Sequence, residues 1–179
     1  RVKICCISSV SEARMAVEFG ANALGLVGRM PTGPGVIDDD TIRAIRESVP
    51  PGVSTFLLTS EMSSSGIATH HGRTLTDTIQ IVDRVRPETR AELKKLLPAI
   101  RLVQVVHVID ESSVEEALAA EQFSSAILLD SGNPNLPLKE LGGTGRAHDW
   151  LLSRRICEQV HIPVYLAGGL NPANIREAI

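Results

Sequence analysis

Apolar, strand-like runs alternate with helix-patterned segments along almost the whole chain, and few folds accept that order. The runs fall at Val2–Ile7, Ala23–Val27, Val53–Leu58, Thr78–Val82, Leu102–Ile109, Ser125–Leu129 and Pro163–Ala167. Their near-continuous hydrophobicity is that of strands buried on both faces. Between them lie helical patterns with start and stop signals. Ser11-Glu12 precedes Ala13–Phe19, which Gly20 closes, and Asp38–Ser48 ends at Pro50. Glu88–Leu97 stops at Pro98, and Ser112–Gln122 opens on a capping-box-like Ser112-x-x-Glu115. Asp149–Val160 and Pro172–Ile179 follow the same logic. The weakest helix lies within Glu61–Gly72, because Ser63-Ser64-Ser65-Gly66 is a loop composition.

Strict alternation selects a parallel sheet with helical crossovers, either an open doubly wound sheet or a closed (β/α)8 TIM barrel. The first strand ends in Cys5-Cys6 rather than a glycine fingerprint, which disfavours a dinucleotide-binding open sheet. Residues 1–179 therefore read as one α/β domain, a TIM barrel with seven strands visible that stops before strand 8.

Composition narrows the function classes. A net charge of −3 without a basic stripe argues against nucleic acid, and one tryptophan, one tyrosine and three phenylalanines leave little for base stacking. No run approaches the roughly 18 apolar residues of a membrane span. Cys5, Cys6 and Cys157 are odd in number and lack metal-ligand spacing, so neither a disulfide framework nor a metal site is expected. A cytoplasmic protein without cofactor or metal, acting on a small molecule, is the expectation, with monomer and homodimer both open.

Barrel geometry turns positions into chemistry, since reactive residues gather at the carboxyl ends of strands. Cys5 ends the first run, Asp130 follows Leu128-Leu129, and glycine-rich turns stand at Gly142-Gly143-Thr144-Gly145 and Gly168-Gly169. Alternation puts Lys3 and Cys5 on one strand face and Ile4 and Cys6 on the other. With Cys5 facing the barrel mouth, Cys6 packs toward the helices. A thiol of reference pKa ~8.5 is mostly protonated at pH 7, so a base at Cys5 needs a positive charge nearby, which Lys3 is placed to supply. Taken singly, a cysteine in an apolar strand is most often structural and an aspartate after a strand most often a cap or turn former. The ordered set is what raises them above that.

The series resembles the phosphoribosylanthranilate isomerase family of tryptophan biosynthesis. The likeness runs from Lys3-Ile4-Cys5 through Gly20-Ala21-Asn22-Ala23-Leu24-Gly25, Leu128-Leu129-Asp130-Ser131 and Gly142-Gly143-Thr144-Gly145 with Asp149-Trp150, to Leu166-Ala167-Gly168-Gly169-Leu170-Asn171-Pro172. It implies a phosphosugar-binding barrel that performs an Amadori rearrangement, with Cys5 and Asp130 as the catalytic residues. It also implies a phosphorylated substrate held at Gly143, Gly168 and Gly169, the last two before a helix start whose free amides suit a phosphate. Three departures stand out. Cys6 occupies a family glycine, Gly33-Pro34-Gly35 replaces a serine-proline-arginine whose arginine binds the anthranilate carboxylate, and Gln80-Ile81-Val82-Asp83 replaces glutamine-leucine-histidine-glycine. Arg29, Arg84 and His107 are the candidate replacements, while His70-His71 is expected to face solvent. A related phosphosugar isomerase with another substrate, or a non-catalytic paralogue binding a phosphorylated ligand, are the alternatives.

Overall fold

The computed structural model describes residues 1–178. Seven strands run in the order β1 (Lys3–Ile4), β2 (Ala23–Val27), β3 (Ser54–Thr59), β4 (Thr78–Ile81), β5 (Arg101–His107), β6 (Ala126–Asp130) and β7 (Val164–Leu166). They form one parallel sheet in sequence order. Helices α1 (Val10–Glu18), α2 (Asp39–Ser48), α3 (Ser64–Thr74), α4 (Pro87–Leu96), α5 (Ser112–Glu121) and α6 (Trp150–Gln159) alternate with them. This is a (β/α) barrel wall, with β1 and β7 each keeping one edge unpaired among the described residues. No described helix is long and apolar enough to cross a membrane.

Strand alternation sorts side chains into two layers. Phe56, Leu58, Val103, Val105, Ala126 and Leu128 point inward into one cluster with Val82. Their neighbours Leu24, Leu26 and Leu57 point outward beneath Ile42 and Ile45 of α2. Ile79, Ile81 and Leu102 do the same beneath α3 and α4. Full burial of each such aliphatic side chain contributes about 1.5–3 kcal/mol. Both layers being apolar explains why the strands read as unbroken hydrophobic runs.

Five local expectations need correction. The helix expected within Glu61–Gly72 forms but runs over Ser64–Thr74, past Gly72, and the serine run caps its start, Ser63 Oγ accepting from Gly66 N at 3.1 Å. That helix buries His70 and His71 instead of exposing them. At α5 no capping box forms, since Ser112 turns back to donate to Asp110 Oδ1. After β7 the chain makes turns over Pro172–Ala178 without a regular helix, Asn171 Oδ1 accepting from Ala173 N at 2.9 Å, and Ile179 lies outside the described residues.

The fifth correction bears on function. β1 ends at Ile4, and Cys6 adopts the left-handed conformation at φ 61°. That step interrupts the alternation. Cys5 and Cys6 both turn to the carboxyl-end cavity, and Ile7 resumes the outward face. Holding a non-glycine residue there costs about 1–2 kcal/mol, which is a physical reason for glycine at the equivalent family position.

Candidate active site

Cys5 stands at the carboxyl end of β1 because the strand has space beside it. A Cβ at Gly25 on β2 would lie 2.8 Å from Cys5 Sγ and 3.2 Å from Lys3 Nζ. Glycine at this place lets the thiol and the ammonium share the gap. Lys3 Nζ donates to Cys5 Sγ at 2.5 Å and also stands 5.4 Å from the Phe56 ring centroid. The ammonium thus sits directly on the sulfur. Cys6 has no such support: burial and the neighbouring Cys5 push its thiol pKa up. Its Sγ contacts Pro34 O at 3.7 Å.

Asp130 closes β6 on the same cavity. Its Oδ1 accepts from Ser131 N at 2.7 Å, and Ser131 Oγ shares a 2.6 Å hydrogen bond with Thr144 Oγ1. The glycine turns close in on it from two sides. A Cβ at Gly142 would lie 3.1 Å from Asp130 Oδ2, and one at Gly168 would lie 3.0 Å from Oδ1. Gly143, Gly145, Gly168 and Gly169 all have positive φ. Among the described residues their amides, with that of Thr144, find no backbone acceptor and point to a cradle for an anion.

The walls are two loops that grip each other. Thr32 Oγ1, in the loop after β2, donates to Lys139 O at 2.5 Å in the loop after β6. A Cβ on Gly143 would strike Pro34 Cδ at 2.4 Å, so these loops pack without space for a side chain. Between them lies a cavity of about 220 Å³, lined by the glycine turns and by the apolar side chains of Met30, Leu58 and Val82. A larger hollow of about 850 Å³ opens at the opposite end of the strands, but neither thiol nor Asp130 lines it.

Cys5, Asp130, Gly143, Gly168 and Gly169 thus come together on one cavity. Arg29, Arg84 and His107 do not line it. Arg29 is exposed and, among the described residues, engaged only through its carbonyl, which accepts from Ser60 Oγ. Arg84 points outward and pairs with Glu116 on α5. His107 is buried, its Nε2 donating to Val82 O at 3.0 Å and its Nδ1 lacking a partner against Gly132. His70 is a packing residue: its Nε2 donates to Asp39 Oδ1 at 3.0 Å and its Nδ1 accepts from Thr59 Oγ1 at 2.9 Å. Burial pushes its pKa down despite the Asp39 charge, which keeps the ring neutral at pH 7.

Two features escaped the sequence reading. Asp83, 4% exposed at the end of β4, pairs with Lys139 at 2.6 Å. His148, half-buried behind the second glycine loop, bonds Ser153 Oγ at 2.6 Å, and burial lowers its pKa against the pull of Asp130. No spacing rule signals a lysine 56 residues from its aspartate.

Comparison with known proteins adds to this geometry. The family described as N-(5'phosphoribosyl)anthranilate (PRA) isomerase matches residues 2–179. N-(5'-phosphoribosyl)anthranilate isomerase 2 of Methanosarcina mazei is 34% identical over 180 residues, spanning 100% of this chain and 79% of that protein. The crystal structure of the phosphoribosyl anthranilate isomerase of Thermotoga maritima superposes with a TM-score of 0.83 at 30% identity, covering 100% of this chain and 82% of that one. A further crystal structure, of a phosphoribosyl anthranilate isomerase in complex with reduced 1-(o-carboxyphenylamino)-1-deoxyribulose 5-phosphate, matches with a TM-score of 0.80 at 28% identity, covering 100% of this chain and 80% of that one.

Proposed function

The chain belongs to the phosphoribosylanthranilate isomerase family, and from that premise we propose that Cys5 and Asp130 carry the Amadori rearrangement of N-(5'-phosphoribosyl)anthranilate to its 1-deoxyribulose 5-phosphate product. The observation that supports this most is the pair itself: a lysine-bonded thiol and a carboxylate on one cavity, flanked by unpaired amides.

Asp130 acts as the acid. Its proton goes to the ring oxygen of the sugar as the C1–O bond breaks, leaving an open-chain protonated imine. Cys5, as thiolate beside the Lys3 ammonium, then removes the C2 proton, and the electron pair moves to the C1–C2 bond and on to nitrogen. The enolamine so formed relaxes to the ketone by moving its hydroxyl proton to C1. Positioned general acids and bases of this kind each contribute about 10²–10⁴-fold. The amides of Gly143, Gly168 and Gly169 receive the phosphate, and the apolar wall at Met30 and Val82 takes the aryl ring. The bond that Cys5 accepts from Lys3 fits an active thiolate better than a non-catalytic paralogue, which has no use for it.

Residues 1–178 are one barrel domain in this reading, and the free edges of β1 and β7 fit closure by one further βα unit. Three free cysteines fit a reducing, cytoplasmic setting. The test is turnover of N-(5'-phosphoribosyl)anthranilate by the full-length protein, followed by chromatography of the product. Folded protein that binds the reduced product analogue yet yields no product would contradict the proposal.

A further inference from the structure

The substrate assigned above carries an aryl carboxylate, and the cavity wall offers no cation to meet it. Among the described residues the lining holds no basic side chain. An anion pressed against such a wall without a partner is strongly disfavoured. The basic side chains of the mouth loops and of β1 are mostly committed elsewhere. Lys3 is held on the Cys5 sulfur, Arg146 pairs with Glu140, and Arg29 is exposed outside the lining.

Lys139 differs in where it is anchored. Its carbonyl is bonded to Thr32, which lines the cavity, and Leu141, two residues on, lines it too. An antiparallel bridge between Asn133 and Glu140 stiffens this stretch of loop. Its ammonium reaches to Asp83, the residue after Val82 on the apolar rim. The lysine therefore runs from the loop after β6, where its carbonyl holds Thr32, to Asp83 beside Val82; it stands next to lining residues at both ends without being one itself.

Asp83 is a fixed post for it. Oδ1 accepts from Arg84 N at 2.8 Å, and its carbonyl accepts from Gln104 Nε2 at 2.9 Å, so carboxylate and backbone are both held from within the barrel wall. The Lys139 side chain remains 40% exposed while that of Asp83 is 6% exposed. An ammonium has three donors and Asp83 Oδ2 takes one. Two remain for an incoming anion.

Resting on the function proposed above, we propose that Lys139 is a specificity-determining residue: it binds the anthranilate carboxylate, with Asp83 positioning it. This moves the counter-charge from the loop after β2, where Gly35 stands, to the loop after β6.

The test is calorimetric binding to the full-length protein of reduced 1-(o-carboxyphenylamino)-1-deoxyribulose 5-phosphate and of the same compound without its carboxyl group. The readout is the ratio of the two affinities. In Lys139→Gln it should fall about 10- to 100-fold, the scale of one charged hydrogen bond. In Lys139→Arg most of it should return, and in Arg29→Ala it should stay within twofold. A loop that merely loosened would weaken both compounds alike and leave the ratio unchanged. An unchanged ratio in Lys139→Gln, or a collapse of the ratio in Arg29→Ala, overturns the assignment. Wild-type protein that bound neither compound would overturn the substrate reading itself, a result distinct from tight binding of both with no role for Lys139.

Discussion

Gly25→Ala is a one-methyl change that separates the position of the Cys5 thiol from the fold. Gly25 lies in the middle of β2, in backbone conformation open to any residue, so no strain arises from φ. The new Cβ, however, would lie 2.8 Å from Cys5 Sγ, 3.1 Å from Cys5 Cα and 3.2 Å from Lys3 Nζ. Ordinary carbon–sulfur and carbon–nitrogen contacts need roughly 3.5–4 Å, so the thiol must retreat by something near 1 Å. Displacement on that scale costs about 10²-fold in rate. Because the new methyl also presses on the backbone of Cys5, stability falls too, by the ~1–3 kcal/mol usual for an extra methylene in a packed site. A fold of ordinary stability survives that. We expect kcat to fall about a hundredfold while KM changes little, because the glycine turns and the apolar wall are untouched. Steady-state kinetics beside a denaturant titration measure both effects. Gly72→Ala serves as the control, since its Cβ meets nothing within 4 Å in α3, and it should gain about 0.5–1 kcal/mol with kcat intact. A kcat for Gly25→Ala within threefold of wild type would show that the position of Cys5 does not limit the reaction.

Two further outcomes follow from the geometry. At Gly169, φ is +64° and a Cβ would lie 2.5 Å from Ala147 N and 2.6 Å from Arg146 C, so Gly169→Ala should push back the loop behind Asp130, raising KM and lowering stability by about 1–3 kcal/mol; an unchanged Tm and KM would refute this. His70 has its pKa depressed by burial, so the unfolded chain, with an ordinary value near 6.5, takes up the proton first as pH falls. Its contribution to stability is complete above about pH 6.5 and is lost as pH drops from there toward the folded-state value. His148 shifts in the same direction, so His70→Gln should reduce the slope of unfolding free energy against pH below 6.5 without abolishing it. Equal slopes in the two proteins would remove His70 from the linkage.

Much of the frame was legible because parallel strands buried on both faces leave unbroken apolar runs, and β2 has the bounds Ala23–Val27 that its run predicts. Cys5 and Asp130 stood out because they end such runs. What could not be read depends on contacts between distant segments or on single backbone angles. Two-residue periodicity places Cys6 toward the helices, but the left-handed step at φ 61° sends it to the mouth. The serine run at the start of α3 has the composition of a loop, and only the bond from Gly66 N to Ser63 Oγ makes it a cap. His70 looks like a surface residue until Gly28, whose Cβ would lie 2.4 Å from its ring, shows that the imidazole fills a gap. Arg84 loses its apparent role for the same reason, and Lys139, which no pattern singles out, gains a partner. Glu116 draws the arginine away, and Asp83 pairs with the lysine.

The most direct test of the acid–base assignment is single-turnover conversion of N-(5'-phosphoribosyl)anthranilate by Cys5→Ser and Asp130→Asn, with affinity for the reduced product analogue measured on the same samples. Each variant should lose about 10²–10⁴-fold in the rate of the chemical step while affinity stays within a few-fold. A rate equal to that of wild type in either variant would contradict the role given to that residue.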